Sequence, residues 1–198
     1  MKDKFLEIWE TAGGTNGEIV YEELVSRYSE KSRHYHTLNH ISKSLGRVDE
    51  GKPKNKLALY MAIFFHDVIY DPVKNDNEEK SAEYFKKVAA ENTVKSEIID
   101  RTVGLIMATK HIEKPDNYDA MLICDIDLAE LGKDYGHFEN NNILIRKEFE
   151  MYSDEEYNQG RMEFMKTMSE RPEIFFTAEF QQKYGKNAKS NVERFLIS

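Results

Sequence analysis

Hydrophobic positions along this chain recur with the spacing of helices and nowhere alternate as strands do. Val94, Ile98, Ile99, Thr102, Leu105 and Ile106 form a stripe with a 3.6-residue period, the mark of a helix with one face toward a core. Turn-forming residues interrupt the chain at Gly13-Gly14, Gly51 to Pro53, Asp71-Pro72, Pro115 to Asn117, Gly132, Arg171-Pro172 and Gly185. Most segments between them have helix length rather than strand length. No clean alternation with β-branched residues occurs, and the Asn16-Gly17 pair precedes a helix instead of joining two strands. The pattern predicts helices over 2–11, 18–31, 37–49, 55–69, 77–91, 94–110, 119–131, 137–151, 154–169 and 187–196. Ser153 with Glu156 reads as a capping box. The nine residues Leu57–Phe65 are apolar on every side, which predicts the buried centre of an all-α bundle, with Met121–Leu131 as a second central helix.

A chain of 198 residues most simply makes one domain with a sizeable core. Its 10 Gly and 4 Pro exclude collagen-like and low-complexity classes, and no repeat or linker divides it. The net charge of −8, from 28 Lys+Arg against 36 Asp+Glu, repels phosphate backbones, so no nucleic-acid partner is expected; a local basic pocket can still hold a small anion. The single cysteine, Cys124, excludes an intrachain disulfide framework and suits a reducing cytosol. Nine apolar residues are less than half a membrane span. The expectation is a cytoplasmic protein with no membrane partner.

Histidine is sparse, and its placement changes the picture. Of six histidines, His34, His36 and His40 fall within seven positions, and His66 stands beside Asp67 at the end of the most apolar segment. Asp125 and Asp127 interrupt the other apolar segment, "MLICDIDLAEL". A carboxylate in an apolar core is costly unless it is paired, hydrogen-bonded or bound to a metal. His36 and His40, four apart, would project from one helical face. His66 and Asp67 point about 100° apart in a helix, but at a frayed end both could reach one centre. Such a His/Asp set suits Mn, Fe, Co, Ni or Zn, and Mg less well. The bland reading stands beside it: a single His near a helix is usually a satisfied surface or core residue, which is how His34 and His137 are read. An Asp in an apolar run can simply cap a helix or bind Arg.

The order H…HD…D resembles the HD-domain metal-dependent phosphohydrolase superfamily. "LALYMAIFFHDVIYDP" is similar to its helix with the His-Asp pair, "YHTLNHI" to its histidine segment, including that of the cyclic-nucleotide phosphodiesterase branch, and "DIDLAELG" to its last Asp-bearing helix. "NDNEEKSA" and "ATKH" resemble one bacterial branch of predicted HD hydrolases. The resemblance covers roughly 28–165. It implies an HD-type single domain, His40, His66, Asp67 and Asp127 as ligands of a divalent metal, and His36 as proton donor to a leaving oxygen. The chain departs from the phosphodiesterases in offering only His111 where they carry further histidines for a second metal. It also lacks the glycine-rich signature of the cyclic-diguanylate hydrolases.

Other candidates follow from position. His111 ends "ATKH" and is a candidate pocket residue, although a His in a C-terminal turn also suits the helix dipole. Glu78 in "DNEEKSA" is a candidate acidic helper, although an acid in a first turn also suits the dipole. Arg33, beside the histidine segment, is a candidate to bind a substrate phosphate bidentately; Arg146 and Arg161 are candidates to do likewise or to pair with core carboxylates. Cys124 reads as a small core residue. Asp127, followed by Leu128, is the expected ligand rather than Asp125. The expected activity is hydrolysis of a phosphate ester of a small molecule, with nucleotides among the candidates: Asp67 orients the water and His36 protonates the leaving oxygen. The competing expectations are a nucleotide- or metal-binding sensor without turnover, and a purely structural helical protein.

Overall fold

The computed structural model describes residues 1–197 and is all-helical, with no strand among them. The helices are α1 (Lys2–Thr11), α2 (Gly17–Tyr28), α3 (Leu38–Leu45), α4 (Lys56–Phe65), α5 (Asn77–Glu91), α6 (Ser96–Ala108), α7 (Tyr118–Leu128), α8 (Tyr135–Glu148), α9 (Asp154–Glu170), α10 (Ala178–Phe180) and α11 (Lys186–Leu196). None is long and apolar enough to cross a membrane.

Helix α4 is the axis of the bundle because it has no polar face to give to water. Ala58 through Phe65 are all buried, and α1, α3, α5, α6 and α7 pack around them. Phe64 and Phe65 lie against Phe5, Trp9 and Phe85 with ring centroids 4.8–6.3 Å apart. Truncating either to Ala would cost about 3–5 kcal/mol. The stripe on α6 closes the far side: Ile98, Ile99, Thr102, Leu105 and Ile106 are buried.

Side-chain caps set where the two central helices begin. Asn55 Oδ1 accepts from Ala58 N at 2.9 Å, and Asn117 Oδ1 from Ala120 N at 2.9 Å. Asp119 then ties the two starts together by accepting from Lys54 N and Asn55 N, both at 2.7 Å. The capping box at Ser153 and Glu156 is present at the start of α9.

Three boundaries differ from the sequence pattern, with consequences for the site. The third helix starts at Leu38, because Thr37 is its N-cap and its side chain accepts from Asn39 N. The fourth helix ends at Phe65, with His66 as C-cap. And α10, with the five-residue π-turn Gln181–Gly185 that joins it to α11, has no counterpart in the predicted set. That segment buries Phe180 and Tyr184. It passes so close to Gly132 that a Cβ there would meet the Tyr184 carbonyl oxygen at 2.7 Å.

Candidate metal centre and its cavity

Where α4 ends, the chain brings four side chains from three elements to one point: His40 from α3, His66 and Asp67 from the end of α4, and Asp127 from α7. Nε2 of His40 lies 3.3 Å from Nε2 of His66, 3.1 Å from Asp127 Oδ1 and 3.7 Å from Asp67 Oδ2. Nε2 of His66 lies 3.0 Å from Asp67 Oδ2 and 3.5 Å from Asp127 Oδ1. Ligands held tetrahedrally at about 2.0–2.2 Å from one ion stand about 3.3–3.6 Å from each other, so these spacings fit a shared cation.

The hydrogen bonding makes the same demand. Nδ1 of His66 is 3.0 Å from the Ile63 carbonyl oxygen, which can only accept, so Nδ1 carries a proton. In a neutral ring Nε2 is then a lone pair facing two carboxylate oxygens, so the cluster calls for positive charge there, supplied by a second proton on the ring or by a bound cation. Burial alone would empty this cluster of charge. The Asp67 charge and the bonds to Asp127 and Asp67 outweigh burial and hold His66 well above its ordinary range. Burial likewise pushes Asp127 up, but its bonds to His111, His40 and His66 hold it well below the usual carboxylate range. Asp67 is held low against burial by His66 and His36. The four side chains can hold a metal ion.

His36 stands beside this cluster for a reason other than the one its spacing suggested. It precedes the Thr37 cap and is not on α3, so it shares no helical face with His40. Glu148, at the end of α8, places it instead. Its Oε1 accepts from the backbone N–H groups of His34, Tyr35 and His36 at 2.7, 2.7 and 2.8 Å. Its Oε2 is 2.6 Å from His36 Nδ1 and accepts from the Tyr70 hydroxyl at 3.2 Å. Tyr70 also lies against the His36 ring, centroids 4.3 Å apart. Burial pushes Glu148 up, but the bonds and charge of His36 and the backbone donors outweigh it and bring it down to about 2. Burial pushes His36 down, and Asp67 and Glu148 more than reverse this, so its pKa is raised.

Arg33 is a correction. Its guanidinium is buried and four of its five N–H donors are used: Nε donates to Glu30, Nη1 to the His36 and Asp67 carbonyl oxygens, and Nη2 to the Val68 carbonyl oxygen. It clamps the His36 segment to the His66-Asp67 turn and does not line the cavity. Arg146 is a second correction. It donates to Asp154 and to the Phe149 and Tyr152 carbonyl oxygens, locking the α8–α9 turn, and does not line the cavity.

The neighbouring motifs hold the loop after Asp67 in place. Asn77 bonds both ways with the backbone of Asp71, and Ser81 both ways with that of Ile69. Glu78 lines the cavity beside them, its pKa raised by burial and by the Asp67 charge. His111, past the end of α6, sits at φ 56°, a conformation a non-glycine residue adopts only where its surroundings enforce it. Arg171 holds its carbonyl oxygen at 3.0 Å, and its Nε2 lies 2.8 Å from Asp127 Oδ2. Asp125 points away from the cluster and accepts from Phe176 N, Thr177 N and the Thr177 hydroxyl at 2.6–2.7 Å. His137 bonds Glu130 at 2.5 Å and His34 is exposed, the bland roles expected of both. Cys124 is buried and donates to the Ala108 carbonyl oxygen.

The cluster opens into a cavity of about 540 Å³. His36, Asp67, Glu78, His111 and Asp127 line it, together with Phe138, Asn141, Ile145, Phe149, Tyr157, Arg161 and Phe164 from α8, α9 and the turn between them. Glu148, Tyr70, Tyr35 and Asn141 were not among the residues read from sequence. The available signal for Glu148 was a charge on the inward stripe of α8, in register with Phe138, Asn141 and Ile145. No family model, no curated protein and no solved structure matches the chain.

Proposed function

We propose that this chain is an HD-type metal-dependent phosphohydrolase acting on a phosphate ester of a small molecule. The observation that carries the reading is the convergence of His40, His66, Asp67 and Asp127 beside a cavity that Asp67, Asp127 and His36 line. A divalent ion held by those four side chains would supply Lewis-acid polarisation of a phosphoryl oxygen and acidify water. Mn, Fe, Co, Ni and Zn suit two imidazole nitrogens with two carboxylate oxygens better than Mg does.

The chain's own groups supply the rest. Glu148 accepts the Nδ1 proton of His36, which fixes the ring, and Nε2 of His36 has no protein partner and is free to carry a proton to the leaving oxygen. Asp67, held ionised by His66 and His36, accepts a hydrogen bond from the attacking water and orients it. His111 fixes Asp127 through Oδ2 and leaves Oδ1 toward the histidines. The apolar and aromatic walls exclude bulk water and bind the organic part of the ester.

The test is a screen of phosphatase and phosphodiesterase activity with nucleotides, sugar phosphates and aryl phosphates, each with added Mn, Co, Ni, Zn or Mg. Metal-dependent release of phosphate or of the ester's alcohol, lost in His36→Ala, supports the reading. Metal binding with no turnover of any of them would favour a sensor that binds without reacting.

A further inference from the structure

The cavity holds a cation that no carboxylate among the described residues pairs with. Nε and Nη2 of Arg161 both donate to Asn142 Oδ1, at 2.9 and 2.7 Å, and the guanidinium lies over the Phe164 ring at 4.9 Å. The titratable groups that act on it are tyrosines, Tyr157, Tyr35 and Tyr70, and no carboxylate is among them; burial lowers its pKa. Nη1 has no protein partner. Arg161 is partly buried and lines the cavity, so the open Nη1 donors are available to an anion there.

A second unused donor belongs to another residue of the cavity lining. Asn141 is 6% exposed, lines the cavity, and its Nδ2 is buried with no partner. Among the acids of the cavity, Glu78 feels the charges of Asp67 and Lys110 and makes no ion pair with Arg161. Glu130 is paired with Arg47 and Lys43 and bonded to His137. Glu156 serves the cap at Ser153, and Glu148 holds His36. Arg161 makes no ion pair with Asp67 or Asp127 of the His/Asp cluster.

We propose that the cavity takes a two-headed anion: a phosphate ester at the His36 end, whose flat or apolar body carries a second oxyanion seated on Arg161 and Asn141. The guanidinium offers Nη1 and the amide offers Nδ2 to a carboxylate or a second phosphate, the charge-assisted pairing that favours an anion over a neutral carbonyl. The first head rests on the phosphohydrolase reading; the second stands on Arg161 and Asn141 alone.

Isothermal titration of the metal-loaded protein with non-hydrolysable phosphonates tests it. The probes are phenylphosphonate, its 4-carboxy, 4-carbamoyl and 4-phosphono derivatives, and the matching biphenyl compounds, which vary the span. The carboxylate or the bisphosphonate, at one span or the other, should bind at least about tenfold tighter than both the unsubstituted and the carbamoyl compound, and which of the two binds tighter tells carboxylate from phosphate. Arg161→Gln should remove that preference and leave phenylphosphonate binding within about twofold, and Asn141→Ser should weaken the preference. The wild-type contrast between carboxylate and carbamoyl needs no variant, so it holds even if Arg161→Gln fails to fold. No preference at either span, or a preference that survives Arg161→Gln, overturns the proposal. Benzoate separates the two readings: benzoate binding that depends on Arg161, with phenylphosphonate not bound, supports this subsite and counts against the phosphohydrolase.

Discussion

Oε2 of Glu148 lies 2.6 Å from Nδ1 of His36, and the other oxygen of the same carboxylate holds the backbone of His34, Tyr35 and His36. One side chain fixes both the loop and the ring it carries. In Glu148→Gln the amide would present N–H to Nδ1, moving the ring proton of neutral His36 to the other nitrogen. Turnover should fall by about 100-fold or more, with the bound metal unchanged. Loss of metal equal to the loss of turnover would mean that Glu148 merely holds the fold.

The same pair sets a pH window for stability. Glu148 is depressed to about 2, so its contribution is present above its unfolded value of about 4.3 and is lost as pH falls from there through the folded value. His36 is raised, so its contribution is full below about 6.5 and is lost as pH rises through the folded value. Denaturant unfolding of wild type and Glu148→Gln should therefore differ most near pH 5–6, by up to about 3 kcal/mol, with the difference shrinking to about half near pH 3 and converging toward about pH 2. A difference that does not change with pH would contradict this pairing.

His36 and His40 should separate by what they lose. His40 Nε2 faces His66 and Asp127, whereas His36 bonds to Glu148 and lines the cavity. His40→Ala should strip the metal. His36→Ala should keep it and lower turnover about 10²–10⁴-fold. Metal analysis of both variants checks this; equal metal loss would put His36 among the ligands.

Asp127 and Asp125, two residues apart, should separate in the same way. Asp127→Asn should lose metal affinity strongly, since Oδ1 sits among the histidines. Asp125→Asn should keep the metal but lose about 1–3 kcal/mol of stability, because an amide nitrogen would face the donors of Phe176 and Thr177. Titrating metal into each variant and melting each decides it.

The helices were legible because their signals are local. The α6 stripe, the Ser153 cap and the apolar α4 each declare themselves within a dozen residues. What the pattern missed was set by distant partners. The turn at Gln181–Gly185 is shaped by its contact with Gly132, and the non-helical backbone at His36 is held by a carboxylate 112 residues away.

The site divides along the same line. The chemistry of histidine and aspartate beside apolar runs points to His40, His66, Asp67 and Asp127, which the fold brings together. Arginine gives no such signal: Arg33, Arg146 and Arg161 look alike in sequence. The structure uses two of them to tie backbone carbonyls and leaves one facing the cavity. Burial of Glu148 is a tertiary fact, visible in the sequence only as a charge on the wrong face of α8.

The most direct test of the account is the metal content of protein purified without chelator, measured by elemental analysis alongside a thermal melt before and after chelation. The account predicts about one divalent transition metal per chain, a lower melting temperature on its removal and recovery on its return, because an ion that binds only the folded state stabilises it. Protein that carries no metal, and whose melting temperature does not respond to Mn, Fe, Co, Ni or Zn, would contradict it.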